Sequence, residues 1–277
     1  MNVADALAAA RARIPPAEAR LLLGHVLGRS AAWLEAHRDD PLSAEAAARI
    51  SALVTRRADG EPVAYLVGQR EFYGRDFAVT PDVLIPRPET ELLVELVIAK
   101  VGAGGTARIL DLGAGSGCVA VTLALELPGA RVTAVDVSPA ALAVARGNAE
   151  RLGARVAFFE SDWFAALPLQ RFDLIVANPP YVAAGDPHLA EGDLRFEPPH
   201  ALTDHADGLA AIRRIVADAP HWLANGGWLL FEHGHDQGAA ARGLLADAGF
   251  AEIERHTDLA GIVRVSGGRI SDKLNQD

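Results

Sequence analysis

The chain has 277 residues, half of them hydrophobic, and a formal net charge of −10 at pH 7. That length supports one large domain, or a large and a small one, with ample core, and the acidic balance argues against a protein built chiefly to grip duplex nucleic acid. A single cysteine, Cys118, excludes an intrachain disulfide and a cysteine-based zinc site.

Residues 1–60 are rich in alanine and leucine at helical spacing, broken at Pro15-Pro16, Gly28-Arg29-Ser30 and Asp39-Asp40-Pro41, and predict a helical domain of three or four short helices. Leu21, Leu22, Val26 and Leu27 are expected in its core with Ile50, Leu53 and Val54, and Ser30 and Ser43 at N-caps. Arg56-Arg57 reads as a solvated helix end, or as a contact to a partner. From 61 to 90 the pattern changes. Val63-Ala64-Tyr65-Leu66-Val67-Gly68 and Glu71-Phe72-Tyr73-Gly74-Arg75-Asp76-Phe77-Ala78-Val79 set glycines among aromatic and β-branched residues, as a hairpin or extended linker does. Ile85-Pro86-Arg87-Pro88-Glu89-Thr90-Glu91 then leads into a helix to about Lys100, with Pro88 suited to its first turn and the acids to the positive end of its dipole.

The remainder, 91–277, reads as one α/β domain. Strands at 107–111, 131–136, 155–160, 172–177 and 227–232 alternate with helices at 118–127, 140–152, 208–219 and 236–248, which predicts a parallel sheet covered on both faces. Residues 251–256 and 262–266, joined by a short connection, suit an antiparallel hairpin at the sheet edge. The start of the chain lacks a basic, apolar leader, and no apolar run approaches the roughly 18 residues that span a bilayer, so a soluble cytoplasmic protein without membrane contact is expected.

Chemistry concentrates in the loops that follow the strands. Asn178-Pro179-Pro180-Tyr181 ends the buried strand at 172–177, where open α/β sheets place ligands. Two prolines fix φ and lack N–H groups, so their carbonyls are held rigidly with no neighbouring donor; Asn178 adds an acceptor oxygen and Tyr181 a flat face. That set suits an NH2 group on a planar carbonyl or ring, although Asn-Pro-Pro also serves as plain loop punctuation. Gly113-Ala114-Gly115-Ser116-Gly117 links the first strand to its helix and lets a ligand approach the backbone. It lacks the third glycine of a dinucleotide fingerprint, the Gly-Lys-Ser/Thr ending of a phosphate cradle and the first glycine of a nucleophile elbow, which leaves a nucleoside site without a strong need for pyrophosphate. Asp136, at the tip of the second strand, can accept from both ribose hydroxyls or else cap the next helix, a task that suits Ser138 better. Trp163, in Ser161-Asp162-Trp163 after the third strand, can face an adenine or a sulfonium, or anchor the core beside Phe158 and Phe164.

Taken together these loops describe one crevice, and the chain resembles a class I S-adenosylmethionine-dependent methyltransferase. Within that superfamily it resembles the PrmC (HemK) family of protein-(glutamine-N5) methyltransferases, on the segments above and on Arg195-Phe196-Glu197-Pro198 and Glu232-His233-Gly234. The resemblance implies a Rossmann-like, seven-stranded, mostly parallel sheet with an antiparallel edge hairpin, preceded by the small helical bundle at 1–60 and a linker at 61–90. It implies that Gly113, Ala114, Gly115, Ser116, Gly117, Asp136, Trp163 and Asn178 contact S-adenosyl-L-methionine, whose product is S-adenosyl-L-homocysteine. It further implies that Asn178, Pro179, Pro180 and Tyr181 receive the glutamine of a Gly-Gly-Gln loop in class I peptide chain release factors, which the helical domain helps to hold. No metal, no nucleic acid and a monomeric state are expected.

Two rivals stay open at this level. An N6-adenine methyltransferase acting on DNA or RNA would present the same planar NH2 donor to Asn-Pro-Pro-Tyr, but residues 1–90 lack a basic, aromatic-studded recognition segment. A non-catalytic binder that kept the fold would have little use for loops suited to both cofactor and acceptor. The acids and histidines from Asp186 to Asp207 look metal-like in composition yet match no compact ligand spacing, and Pro187, Pro198 and Pro199 mark them as a long loop.

Overall fold

The structure is a computed structural model describing residues 1–102 and 104–271. By contact they form two compact units: Met1–Gln69 with Glu191–Phe196, and Arg70–Ala190 with the described residues from Glu197 onward.

The first unit contains helices α1 (Val3–Arg11), α2 (Pro16–Leu27), α3 (Ala31–Ala36), α4 (Ala44–Ala58) and α5 (Val63–Val67). Val3, Leu7, Leu22, Leu23, Leu34, Ile50 and Val54 form its core. Ser30 Oγ accepts the Trp33 N–H at 3.2 Å and Ser43 Oγ the Ala46 N–H at 3.1 Å, so both serines cap as expected. Leu21 does not join the core: Ala19, Leu22, Leu23 and Val26 take the i, i+3, i+4, i+7 face of α2 and leave Leu21 49% exposed. Residues 63–67 form α5 instead of a hairpin or linker, because Val63, Leu66 and Val67 pack on the helical core and burial outweighs β-branching. Nor is Arg57 a solvated helix end. Its guanidinium donates to Glu18 at 2.7 Å and to Asp193 at 2.9 Å, while Arg56 pairs with Glu61.

The second unit opens with a hairpin, β1 (Gln69–Phe72) and β2 (Arg75–Ala78), then a 3-10 turn at Pro88–Thr90 and α6 (Glu91–Val101). There follow β3 (Arg108–Leu112), α7 (Cys118–Glu126), β4 (Arg131–Asp136), α8 (Pro139–Leu152), β5 (Val156–Glu160), β6 (Phe172–Ala177), α9 (Pro199–Leu202), α10 (Ala210–Trp222), β7 (Leu223–Glu232), α11 (Gly238–Asp247), β8 (Phe250–Thr257) and β9 (Val263–Ile270). Seven strands lie in the order β5-β4-β3-β6-β7-β9-β8, parallel except for β9 and β8 at the edge.

β3 and β6 are near-continuous apolar runs because both their faces are covered. Ile109, Leu174 and Val176 meet Leu93, Val97, Val121 and Leu123 on one side; Leu110, Ile175 and Leu229 meet Ile212, Ile215 and Leu245 on the other. β4 pairs with one edge of β3 and β6 pairs with the other, so the chain reverses its direction of winding there and opens a crevice at the carboxyl ends.

Asn148 on α8, wholly buried, ties the hairpin to that crevice. Its Nδ2 donates to the carbonyls of Ala78 and Ser116 at 2.9 Å each, and its Oδ1 accepts the Ala78 N–H at 2.8 Å. Replacing Asn148 by Leu keeps the volume and strands three backbone groups, so urea unfolding should show a loss of about 2–4 kcal/mol. A change within about 0.5 kcal/mol would mean that these groups find other partners.

Candidate active site

A crevice opens at the ends of β3 to β6, where open α/β sheets place ligands. Its floor is the glycine loop. The N–H groups of Gly113 and Ala114 both donate to the Val135 carbonyl, at 2.9 and 2.8 Å, which turns the chain out of β3 at once. Gly113 adopts φ 80°, and a Cβ there would sit 3.6 Å from the Trp163 ring; Gly117, also at φ 80°, would bring a Cβ within 3.0 Å of Ala145 on α8. The left-handed φ at both positions, and the close approach of Ala145 at Gly117, favour glycine.

Asp136 stands beside this loop. Its Oδ2 accepts the Gly115 N–H at 2.8 Å and its Oδ1 the Ser138 N–H at 2.9 Å, which fixes the carboxylate and leaves each oxygen a further lone pair. Capping of α8 falls to Ser138, whose Oγ accepts the Ala141 N–H at 3.2 Å. Trp163 holds φ 53°, an uncommon conformation for a large residue, in a turn closed by the Ser161 hydroxyl, which bonds the Trp163 carbonyl and the Ala166 N–H at 2.9 Å each. Phe164 is the core anchor, 5% exposed and stacked on Trp222, while the Trp163 ring lines the crevice.

Asn178 closes the crevice opposite the glycine loop. Its Nδ2 donates to Thr90 Oγ1 at 3.1 Å; Thr90 in turn donates to Glu232 Oε2 at 2.7 Å, and the Tyr181 hydroxyl donates to Glu232 Oε1 at 3.2 Å. Among the described residues no donor bonds Asn178 Oδ1 or the Pro179 carbonyl. Burial raises the Glu232 carboxyl above its usual range, an effect that the Thr90 and Tyr181 hydroxyls partly offset. Burial and the Glu232 charge likewise raise the Tyr181 phenol.

Of the residues expected at the site, Gly113, Ala114, Gly115, Ser116, Asp136, Trp163, Asn178 and Pro180 line the crevice. Gly117, Pro179 and Tyr181 do not: Gly117 packs on α8, Pro179 is buried, and Tyr181 engages Glu232 with its hydroxyl and Gln237 with its carbonyl. Sequence reasoning missed Asp111, Arg87 and Thr90 as lining residues. Arg87 donates at 2.6 Å to Glu197, a buried carboxylate that also accepts the Ile85 N–H at 3.2 Å, so the two proline-rich motifs meet there. Their repeated Pro-flanked charges were the available signal.

Asp111 lies under the glycine loop, 2% exposed. Burial pushes its carboxyl up to about 7, against the Ala120 N–H that it accepts and with the repulsion of Asp136. Loss of water contact pushes the Cys118 thiol up to about 12, so it offers no thiolate nucleophile near neutral pH. Among the described residues no three His, Cys, Asp or Glu side chains are grouped to hold a metal, and the acids from Asp186 to Asp207 serve their own loop, Asp204 accepting the N–H groups of Ala206, Gly208 and Ala210.

A fixed carboxylate beside bare glycine backbone, with an indole lining the same crevice, fits a nucleoside carrying a sulfonium. Fold and crevice thus define an α/β methyltransferase whose methyl donor is S-adenosyl-L-methionine. Residues 2–68 match the PrmC N-terminal domain and residues 88–192 the methyltransferase small domain. The release factor glutamine methyltransferase of Bordetella pertussis is 58% identical over 256 residues, 92% of this chain and 95% of the relative; that of Burkholderia pseudomallei is 57% identical over 260 residues, 91% of each. A methyltransferase from Pyrococcus furiosus, 17% identical, superposes with a TM-score of 0.56 over 80% of this chain and 99% of its own, which speaks to fold alone. The chain belongs to the release factor glutamine methyltransferase family.

The Asp111 shift has a sign that can be checked. With the folded value near 7 and the unfolded one near 3.8, the unfolded state gives up its proton first, so stability falls as pH rises from about 4 to about 7. Asp111→Asn should remove a decline on the order of a few kcal/mol from urea melts taken across that window. Parallel pH profiles for the two proteins would show that Asp111 ionises normally in place.

Proposed function

We propose that this protein transfers a methyl group from S-adenosyl-L-methionine to the side-chain amide nitrogen, N5, of the glutamine in the Gly-Gly-Gln loop of class I peptide chain release factors. One observation carries this reading beyond the family: Asn178 is pinned by its nitrogen to Thr90, while its oxygen, at the crevice, accepts from no described protein group. The cofactor, when bound, supplies a methyl group on positively charged sulfur. Gly113, Ala114, Gly115 and Ser116 provide backbone against which it lies, Asp136 accepts from its ribose hydroxyls, and Trp163 offers an indole face to its base or its charge.

The protein's remaining task is to place a weak nucleophile. A carboxamide nitrogen has its lone pair delocalised into the carbonyl, and no side chain deprotonates it usefully near neutral pH. Asn178 Oδ1 would accept one amide hydrogen and the Pro179 carbonyl the other, which would align the nitrogen for displacement; the new N–C bond would replace the bond from the methyl carbon to sulfur, leaving a neutral thioether, and the surplus amide proton would pass to solvent. Orientation of this kind contributes on the order of 7–11 kcal/mol in well-ordered intramolecular reactions, enough to work without a general base. Pro179 and Pro180 keep the acceptors rigid, and Tyr181 braces the loop through Glu232. The helical unit is read as the part that holds the release factor. The protein acts as a cytoplasmic monomer without nucleic acid or membrane; no described helix is long and apolar enough to cross a bilayer.

Incubation with labelled S-adenosylmethionine and purified release factor should label the wild-type factor and leave a Gln→Ala variant of its Gly-Gly-Gln loop unlabelled. Label on the variant, or on DNA or RNA in its place, refutes the assignment. Asn178→Ala should lower kcat on the order of 100-fold with cofactor Kd held within about twofold, whereas Asp136→Ala should weaken cofactor Kd by at least about tenfold. Equal losses in both quantities for Asn178→Ala would remove it from the transfer step.

A further inference from the structure

The hydrogen-bond directions around Asn178 are set from one end. Glu232 is 1% exposed and places both oxygens against hydroxyls, those of Thr90 and Tyr181. Both Glu232 oxygens accept, one from Thr90 and one from Tyr181, so the single hydrogen of the Thr90 hydroxyl is committed to Glu232. Thr90 Oγ1 can then only accept, and what it accepts is an Nδ2 hydrogen of Asn178. A primary amide carries its donor and its acceptor on one carbon; with the donor end tied to Thr90, the acceptor end is the one left for a ligand.

A second observation comes from the turn that leads into α6. Thr90 ends the 3-10 turn Pro88–Thr90 in a helical conformation, φ −69° and ψ −16°, where its hydroxyl makes no capping bond. The residue is 2% exposed, and its hydroxyl is engaged between Asn178 and Glu232 at the crevice wall.

We infer that Thr90 and Glu232 are positioning residues that lock the Asn178 side chain with its oxygen toward the substrate, and thereby select an N–H donor over a carboxylate at the acceptor site. This rests on the role proposed above for Asn178. With the lock in place a glutamate side chain meets oxygen against oxygen, whereas a glutamine side chain meets an acceptor. Without it the Asn178 amide is free to turn over and present its NH2 group, which suits the wrong substrate.

The test is a double-mutant cycle on release-factor methylation, with cofactor titration and thermal melts on each protein. Thr90→Val should lower kcat about 10- to 30-fold, with cofactor Kd and substrate KM within about twofold, and Thr90→Ser should recover kcat to within about threefold of wild type. Glu232→Leu, which offers Thr90 no acceptor and frees its hydrogen, should lower kcat about as much as Thr90→Val. In an Asn178→Ala background Thr90→Val should cost nothing further, because its effect passes through Asn178. If Asn178→Ala is harmful but Thr90→Val is not, or if the two losses multiply, the inference is wrong and the Asn178 reading stands. If Asn178→Ala leaves turnover intact, both fall. Should Thr90→Val fail to fold, Thr90→Ser and Glu232→Leu decide between the same outcomes: full activity in Glu232→Leu overturns the lock.

Discussion

A carboxylate with almost no access to water, Glu232 at the end of β7, gathers the site. Its two oxygens take hydroxyls from Thr90 and Tyr181, residues 142 and 51 positions away in the chain, and through Thr90 it reaches Asn178. No ion pair within 4 Å neutralises it among the described residues. A buried carboxyl is costly unless its oxygens are hydrogen-bonded, so the surrounding hydroxyls have little freedom to turn elsewhere. The stiffness of the acceptor loop follows from that demand as much as from its two prolines.

The sheet supplies the frame on which this works. Because β3, β4, β5 and β6 run parallel, their carboxyl ends open on one side, and the loops that follow them meet there whatever their separation in sequence. The glycine loop and Asp136 secure each other through the Gly115 N–H, Trp163 covers Gly113, and Asn148 holds the Ser116 carbonyl from behind. The glycine loop and the Asn178 loop are therefore held separately, one by backbone and a fixed carboxylate, the other by a hydroxyl chain. A reaction that needs alignment more than acid–base chemistry is served by two rigid walls.

Much of this was legible in the sequence, because parallel strands buried on both faces leave continuous apolar runs such as Leu174-Ile175-Val176-Ala177, and glycines or prolines at their ends mark the turns. Periodicity gave way where tertiary packing decided. Val63–Val67 looked extended by its β-branched ends yet became helical against the helical core, and Leu21 lost its place in that core to Leu23, on the opposite face of the helix. Arg57 looked solvated because its partners, Glu18 and Asp193, lie far away in the chain. Thr90 and Glu232 stood inside recognisable motifs, but nothing local marks a threonine whose hydroxyl bridges two distant side chains or a glutamate that is buried at a strand end. Those facts exist only once β6, β7 and α6 are brought together.

The central claim is one of orientation: Asn178 offers oxygen, not nitrogen, to the incoming amide. A high-resolution structure of the protein with S-adenosyl-L-homocysteine and a Gly-Gly-Gln peptide tests it directly. The account predicts the glutamine nitrogen within hydrogen-bond distance of Asn178 Oδ1, with Asn178 Nδ2 still on Thr90. A glutamine nitrogen held by other groups, or Asn178 turned so that its oxygen faces Thr90, would contradict it.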